Sequence, residues 1–173
     1  MTDPRYPIGK VELRGSLTPA ARAAAIATIA AVPNHLYDAV RGLHQRKLDT
    51  PYRAGGWSVR QVVHHIADSH VNAYVRHKLT ATESSPPIKA YDENAWAQLA
   101  DANGPIGNSL LLVQAIHDRW STFLRALPAS AFARTCVHSE RGSMTLDDLV
   151  ALYAWHGAHH VAHVTSLRSA KGW

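Results

Sequence analysis

Four stretches of the chain repeat apolar residues at the spacing of an amphipathic helix. They cover residues 18–45, 58–78, 108–127 and 145–169. The first stretch opens with Thr18 as an N-cap and Pro19 at the first helical position, where proline loses no hydrogen bond. Pro33 lies inside the same stretch and is expected to kink or restart the helix, because it lacks an N–H group. Ser58 and Thr145 begin the second and fourth stretches with the spacing of a capping box.

The breaks between these stretches differ in length. Residues 83–105 hold three prolines, and only Asp92 to Ala100 resembles a helix there. We interpret this long connection as a cover over one end of the domain that carries Tyr91 and Trp96. Short β-branched stretches such as residues 135–140 are too few to predict a sheet. The pattern therefore predicts one all-α domain over residues 1–173, an up-and-down four-helix bundle with a long, partly helical connection between its second and third helices.

Composition narrows the class of protein. A chain of 173 residues with 46% apolar and 18% charged residues has the composition of a globular domain, and it lacks the run of about 18 apolar residues that a membrane span needs. The start shows no signal-peptide pattern, and a single cysteine, Cys136, allows no intrachain disulfide, so we expect a soluble cytoplasmic protein. The net charge of +5 is scattered, which argues against a nucleic-acid surface.

Histidine is the residue type that composition does not explain. The fourth stretch carries His156, His159, His160 and His163 within eight positions. His160 falls inside the apolar stripe, and His156 lies one helical turn earlier, so two imidazoles on one face can hold a single metal ion. His159 points further round the helix.

A third ligand is expected from another helix, as in other metal sites of helix bundles. The second stretch offers His64, His65 and His70, and its periodicity favours His70 and places His65 roughly 120° away from the stripe. Asp68 is a candidate carboxylate to orient a ligand or act as a general base. The competing interpretation is a pH-sensing or merely polar seam between helices, with structural histidines.

Three strings carry a resemblance to a known family: residues 48–70 (LDTPYRAGGWSVRQVVHHIADSH), residues 88–101 (IKAYDENAWAQLAD) and residues 152–163 (LYAWHGAHHVAH). The chain resembles the DinB superfamily and, within it, the YfiT-like proteins, which are described as metal-dependent hydrolases and include bacillithiol transferases. The resemblance covers nearly the whole chain.

The resemblance implies a four-helix bundle with one divalent ion held by His65, His156 and His160. We expect zinc or nickel, although three imidazoles also accept cobalt or iron. For the second helix it replaces His70, which periodicity favours. His64, His70, His159 and His163 then become pocket residues or supports for the ligands, and Asp68 is a further candidate support. The individual roles of His70, His77 and His163 stay open. A homodimer is also expected from the resemblance alone.

Three functions are compatible with such a site. The first is transfer of a metal-activated low-molecular-weight thiol, as cosubstrate, to an electrophilic small molecule in detoxification. The second is a hydrolase that uses metal-activated water. The third is a non-catalytic, stress-related or nucleic-acid-associated bundle. Arg60, Tyr91 and Trp96 are candidate contacts for the cosubstrate.

Overall fold

The computed structural model of the chain describes residues 3–173. Its helices and strands follow in the order α1 (Pro19–Val40), α2 (Gln45–Leu48), α3 (Val59–Thr82), β1 (Pro87–Ile88), α4 (Glu93–Trp96), α5 (Gly107–Ala126), β2 (Thr135–His138), β3 (Gly142–Thr145) and α6 (Leu146–Lys171). Single 3-10 turns lie at Ala100–Asn103 and Ala129–Ala133. The four long helices match the four amphipathic stretches of the sequence.

Side-chain caps fix the starts of three long helices. The Thr18 hydroxyl accepts a hydrogen bond from the backbone N–H of Ala21 at the start of α1. Reciprocal capping boxes join Ser58 with Gln61 at the start of α3 and Thr145 with Asp148 at the start of α6. α1 is one continuous helix through Pro33, so the expected restart does not occur.

The four long helices form the predicted bundle, and the structure adds their order. α1 packs against α5 and α6, and α3 packs against the same two helices, so α1 and α3 lie diagonally opposite each other. α1 runs parallel to α6, because Arg22 pairs with Asp147 near the starts of both helices and Arg168 reaches the carbonyl of Ala39 near their ends. α3 runs parallel to α5, because His64 hydrogen-bonds Ser109 near the starts of both.

The direction order of the four helices is therefore up, down, down, up. The up-and-down alternation expected from the sequence holds between α1 and α3 and between α5 and α6, whereas α3 and α5 run in the same direction. The reason is the long connection after α3, residues 83–106, which carries the chain back along the bundle before α5 begins. Residues 90–94 of this connection also line the cavities beside the histidines of α3 and α6.

A small three-stranded sheet corrects the expectation that the short β-branched stretches are too few to form a sheet. β2 and β3 form an antiparallel hairpin, and β1 pairs with β2 in parallel. Cys136 and Met144, opposite each other in the hairpin, are both buried in the core beside α6. Gly142 has a positive φ of 72° that permits the tight turn. Tertiary packing therefore stabilises strands that are too short to show a periodic signal.

The core runs the length of the bundle and is apolar at both ends. One cluster surrounds Trp120 and Leu146, and the other surrounds Leu36 and Ile66. Buried histidines of α3, α5 and α6 lie between these clusters, where polar side chains are uncommon. Within residues 3–173, each helix is either too short or too polar to cross a bilayer.

Candidate metal centre

Three histidines from two helices meet between the two apolar clusters of the bundle. His65 comes from α3, and His156 and His160 come from successive turns of α6. One ring nitrogen from each lies within 4.8 Å of the other two. The structure thus brings together the three histidines that the family resemblance implies, and the α6 pair has the spacing that the sequence predicts.

The geometry of this His65–His156–His160 cluster fits a divalent transition metal. Two nitrogens bound to one zinc ion at about 2.0–2.1 Å with tetrahedral angles lie about 3.3–3.4 Å apart. The Nε2 atoms of His65 and His156 are separated by 3.3 Å. Three protein ligands also leave a coordination position for another molecule, which distinguishes catalytic from structural zinc sites.

Burial keeps the cluster in the protonation state that metal binding needs. Desolvation lowers the pKa of His65 to about 4 and lowers the pKa values of His156 and His160 well below the usual 6.5. Mutual repulsion between the neighbouring imidazoles acts in the same direction. All three rings are therefore neutral near pH 7, with lone pairs available to a cation.

Aromatic rings enclose the cluster. The Trp57 ring lies 4.5 Å from the His65 ring, centroid to centroid, and stacks near His160 at 6.2 Å. On the next turn of α6, Tyr52 stacks on His163 at 4.0 Å. These aromatic residues come from the loop before α3, so the segment LDTPYRAGGW builds one wall of the site.

The N-terminal segment builds the opposite wall. Trp155 donates its indole N–H to the carbonyl of Gly9 and stacks on His159 at 4.3 Å. His163 Nε2 lies 3.3 Å from the carbonyl oxygen of Arg5, to which it can donate. Residues 5–9 are thereby held along α6 beside the histidine cluster.

Two cavities meet at the cluster. The outer cavity, of about 500 Å³, is lined by all three cluster histidines and by Arg5, Arg53 and other residues of the two walls. The inner cavity, of about 140 Å³, lies between α3, α6 and the long connection and is lined by Ser69, Arg76, Tyr91, His138 and Tyr153, among others. Both cavities share the residues Glu93, Arg141, Trp155 and His156.

Two predicted supporting residues lie elsewhere. His64 points away from His65 and hydrogen-bonds Ser109 at 2.8 Å, with its second nitrogen 3.1 Å from the carbonyl of Gly104. Asp68, one turn later on the same face, lines a separate cavity with His64. The interpretation of these two residues as ligand supports therefore differs from the structure, because adjacent positions on a helix point about 100° apart.

Arg60 is also placed away from the cavities. Its buried guanidinium pairs with Asp49 at 2.7 Å, donates to the carbonyl of Gly104 and bonds Gln45. These contacts join α2, α3 and the loop before α5, so Arg60 holds the fold rather than a cosubstrate.

The other candidates are closer to the centre. Tyr91 lines the inner cavity, where burial raises its pKa to about 12, and Trp96 packs on it at 4.3 Å without lining either cavity. His159 lines the outer cavity, and burial lowers its pKa to about 4. His77 donates to the carbonyl of Ala73 within its own helix, away from both cavities.

Sequence reasoning missed several residues of the site. His117 on α5 is buried and hydrogen-bonds His70, which in turn hydrogen-bonds the cluster residue His156. Arg53 and Arg141 line the outer cavity but lie in loops, where no periodicity indicates direction. Only the glycine-rich context of Arg53 in the string YRAGGW offered a signal.

The fold and the cluster place the chain in one class of proteins: mainly helical bundles that carry a buried three-histidine cluster. Residues 21–164, which make up more than half of the chain, match the DinB superfamily. The protein is therefore a member of the DinB superfamily.

Individual relatives match over the full length. A Bacillus mycoides protein named "Putative metal-dependent hydrolase" is 46% identical over 173 residues, covering 100% of both chains. A protein of Oceanobacillus iheyensis with the same description is 48% identical over 169 residues and 98% of both chains. The solved structure of YfiT from Bacillus subtilis, called "a probable metal-dependent hydrolase with an unusual four-helix bundle topology", matches with a TM-score of 0.96 and 43% identity over 99% of each chain.

Proposed function

We propose that the protein is a metal-dependent enzyme that joins a low-molecular-weight thiol to an electrophilic small molecule. His65, His156 and His160 would hold one divalent ion. When bound, such an ion lowers the pKa of a coordinated thiol or water, which makes it a nucleophile near neutral pH. The names of the relatives support the metal dependence, and the arrangement of the cavities supports thiol transfer.

The observation that carries thiol transfer is the pair of cavities that share His156. A transfer reaction needs two organic reactants at the centre together, and an outer cavity of about 500 Å³ beside an inner one of about 140 Å³ offers separate places for them. Hydrolysis needs one organic reactant and a water molecule, so it would leave one of these cavities without a role.

Charged side chains at the cavities have two proposed roles, which are to bind an anionic group of the thiol and to accept its proton. Arg53 and Arg141 line the outer cavity, and neither forms an ion pair within residues 3–173, so both can bind an anionic group of the thiol. Partial desolvation raises the pKa of Glu93, an exposed residue that lines both cavities and whose carboxylate can accept the thiol proton. The sulfur then forms a bond to the electrophilic carbon as the leaving group departs with its bonding electrons.

A second candidate is a metal-dependent hydrolase. The relatives' names favour it, and Glu93 would serve equally as the base for an attacking water. The metal-binding histidines have the same role in both reactions, so only the consumption of thiol separates them.

The test compares the two reactions in zinc-loaded and nickel-loaded protein. One assay follows the loss of free thiol when L-cysteine or glutathione meets 1-chloro-2,4-dinitrobenzene, and the other follows hydrolysis of p-nitrophenyl acetate without thiol. Thiol transfer predicts metal-dependent adduct formation that His160→Ala abolishes. Metal-dependent ester cleavage without adduct formation would favour the hydrolase, and the absence of both activities would contradict an enzyme of either kind.

A further inference from the structure

Pro33 leaves a buried backbone carbonyl without its helical partner. In an α-helix the carbonyl of residue i accepts from the N–H of residue i+4, and proline has no N–H to donate. Pro33 lies inside α1, so the carbonyl of Ile29 lacks that donor, and Ile29 is fully buried. A buried carbonyl without a partner is destabilising, because it has lost its hydrogen bonds to water.

A histidine from a different helix supplies the missing hydrogen bond. Nδ1 of His117 on α5 lies 2.6 Å from the carbonyl oxygen of Ile29, across 88 residues of sequence. A carbonyl oxygen can only accept, so Nδ1 of His117 must carry the hydrogen. In a neutral ring the other nitrogen, Nε2, then has a lone pair and accepts.

The same reasoning assigns the tautomers of the next two rings, His70 and His156. His117 Nε2 lies 2.7 Å from Nδ1 of His70, so His70 donates from Nδ1 and keeps a lone pair on Nε2. His70 Nε2 lies 3.0 Å from Nδ1 of His156, so His156 also donates from Nδ1. The Nε2 atom of His156 is thus left with its lone pair directed at His65, 3.3 Å away.

The three rings are neutral in this arrangement. Among residues 3–173, no carboxylate hydrogen-bonds any of them, and His70 and His117 are at most 1% exposed. A charged imidazole that is buried without a counter-ion is strongly disfavoured. A charged ring would carry hydrogens on both nitrogens, so its Nε2 atom could not accept a hydrogen bond from the next ring.

We propose that His117 and His70 are positioning residues that fix the tautomer and the ring orientation of His156, in a hydrogen-bonded series that begins at the carbonyl freed by Pro33. A metal-binding histidine usually donates its second N–H to a carboxylate, a carbonyl or water. Here two further imidazoles connect that N–H to a carbonyl on another helix. The functional meaning of this histidine series (His117, His70 and His156) rests on the proposed metal site, but its tautomers are a property of the metal-free chain.

The absence of a carboxylate from the series has an electrostatic consequence. A carboxylate partner adds negative charge behind a ligand and makes the imidazole more basic, whereas a neutral series does not. A cation held by His156 would keep more of its positive charge, which favours ionisation of a bound thiol or water.

The first test reads the tautomers without any substitution in the series. Two-bond ¹H–¹⁵N spectra of histidine-labelled, metal-free protein at pH 7.5 distinguish a protonated Nδ1 from a protonated Nε2. The proposal predicts Nδ1–H and a bare Nε2 for all three rings of the series. An Nε2–H signal from any of them, or a doubly protonated ring, would overturn it.

The second test uses a matched pair of variants at His117. His117→Gln places an amide oxygen near the position of Nε2, where it accepts from His70, but gives up the bond to Ile29. His117→Asn places an amide near Nδ1, where it donates to the Ile29 carbonyl, but it does not reach His70. If position 117 acts through His70, Asn is the damaging substitution even though it satisfies the buried carbonyl.

The readout is the affinity for zinc(II), measured by competition with a chromophoric chelator, beside the urea unfolding midpoint of each variant. We expect His117→Asn to weaken zinc binding by about 10–100-fold and His117→Gln by no more than about threefold. Equal losses in both variants, a larger loss in Gln, or no loss in either would contradict the positioning role. A parent that binds no zinc would refute the metal site, while the spectra would still decide the tautomers.

Discussion

The Nε2 atoms of His65 and His156 lie 3.3 Å apart, although 91 residues separate these two histidines in the chain. Two neutral imidazoles with facing lone pairs repel each other unless a hydrogen or a cation lies between them. The packing of α3 against α6 brings them together, and a third imidazole, His160, joins them within 4.8 Å. This relationship connects the fold of the bundle to its proposed chemistry.

Adjacent histidines on α3 should respond differently to substitution. His65→Ala removes one of three ligands, so we expect zinc affinity to fall at least about 100-fold, beyond the loss typical of an outer hydrogen-bond partner. His64→Gln is the matched control, because His64 faces Ser109 and a separate cavity. Isothermal titration with zinc(II) measures both. A loss in His64→Gln as large as that in His65→Ala would show that the ligand assignment on α3 is wrong.

The metal-free protein should lose stability in mild acid. His65, His77 and His117 have pKa values lowered by burial to about 4, whereas histidines of the unfolded chain titrate near 6.5. The unfolded state therefore binds more protons between these values, so stability is complete above about pH 6.5 and falls as the pH drops toward 4. Each such ring contributes roughly 1.4 kcal/mol per pH unit within that window.

Urea unfolding of metal-free protein at pH 7.5, 6.0 and 5.0 checks this dependence. The free energy of unfolding should fall at each step, and more steeply between 6.0 and 5.0 than between 7.5 and 6.0. Stability that is constant over this range, or that rises as the pH falls, would mean that these rings are not held neutral by burial.

Gly157 should tolerate no side chain. A Cβ atom at this position would lie 2.5 Å from Cγ2 of Val32 and 3.2 Å from Cε1 of His70. Gly157→Ala therefore forces α6 away from α1 or displaces a ring of the histidine series, and we expect a loss of about 1–3 kcal/mol of stability. Gly107→Ala is the control, since a Cβ at the start of α5 meets nothing within 4 Å. Equal urea midpoints for the two variants would contradict the close approach.

The arginines of the outer cavity should select an anionic thiol. A hydrogen bond to a charged group contributes about 1.5–3 kcal/mol, so Arg141→Gln and Arg53→Gln should raise KM for an anionic thiol about 10–100-fold with little change in kcat. The matched control is Arg119→Gln, because Arg119 is exposed and contacts Tyr74 outside both cavities. KM for the neutral thiol 2-mercaptoethanol should not change, and a similar rise for both thiols would argue against charge recognition.

Helical periodicity and capping residues predict most of the fold from the sequence. Thr18, Ser58 and Thr145 begin helices where the sequence predicts them, because N-cap chemistry is local. The hairpin of β2 and β3 escaped prediction because its four-residue strands owe their stability to burial of Cys136 and Met144 against α6. The parallel direction of α3 and α5 depends on the path of residues 83–106, which periodicity does not describe.

Some residues of the site can be predicted from the sequence of one helix, whereas others depend on tertiary packing. The i, i+4 spacing of His156 and His160 is a property of one helix, so the sequence predicts that this pair acts together. His65 is predicted only by the family resemblance, because the periodicity of α3 marks its largest apolar face. His65 lies beside that face and contacts His156 on α6. His117 carries no local signal at all, since its partner is a carbonyl on another helix that Pro33 frees.

The metal content of protein expressed without a polyhistidine tag is the most direct test of the proposed metal site. Parent protein and His160→Ala are incubated with zinc(II) or nickel(II), separated from free ions by gel filtration and analysed for metals, with circular dichroism to verify that both are folded. We expect about one divalent ion per chain in the parent and a loss of that ion in the variant. A folded parent without metal, or a variant that retains as much metal as the parent, would contradict a metal centre at His65, His156 and His160.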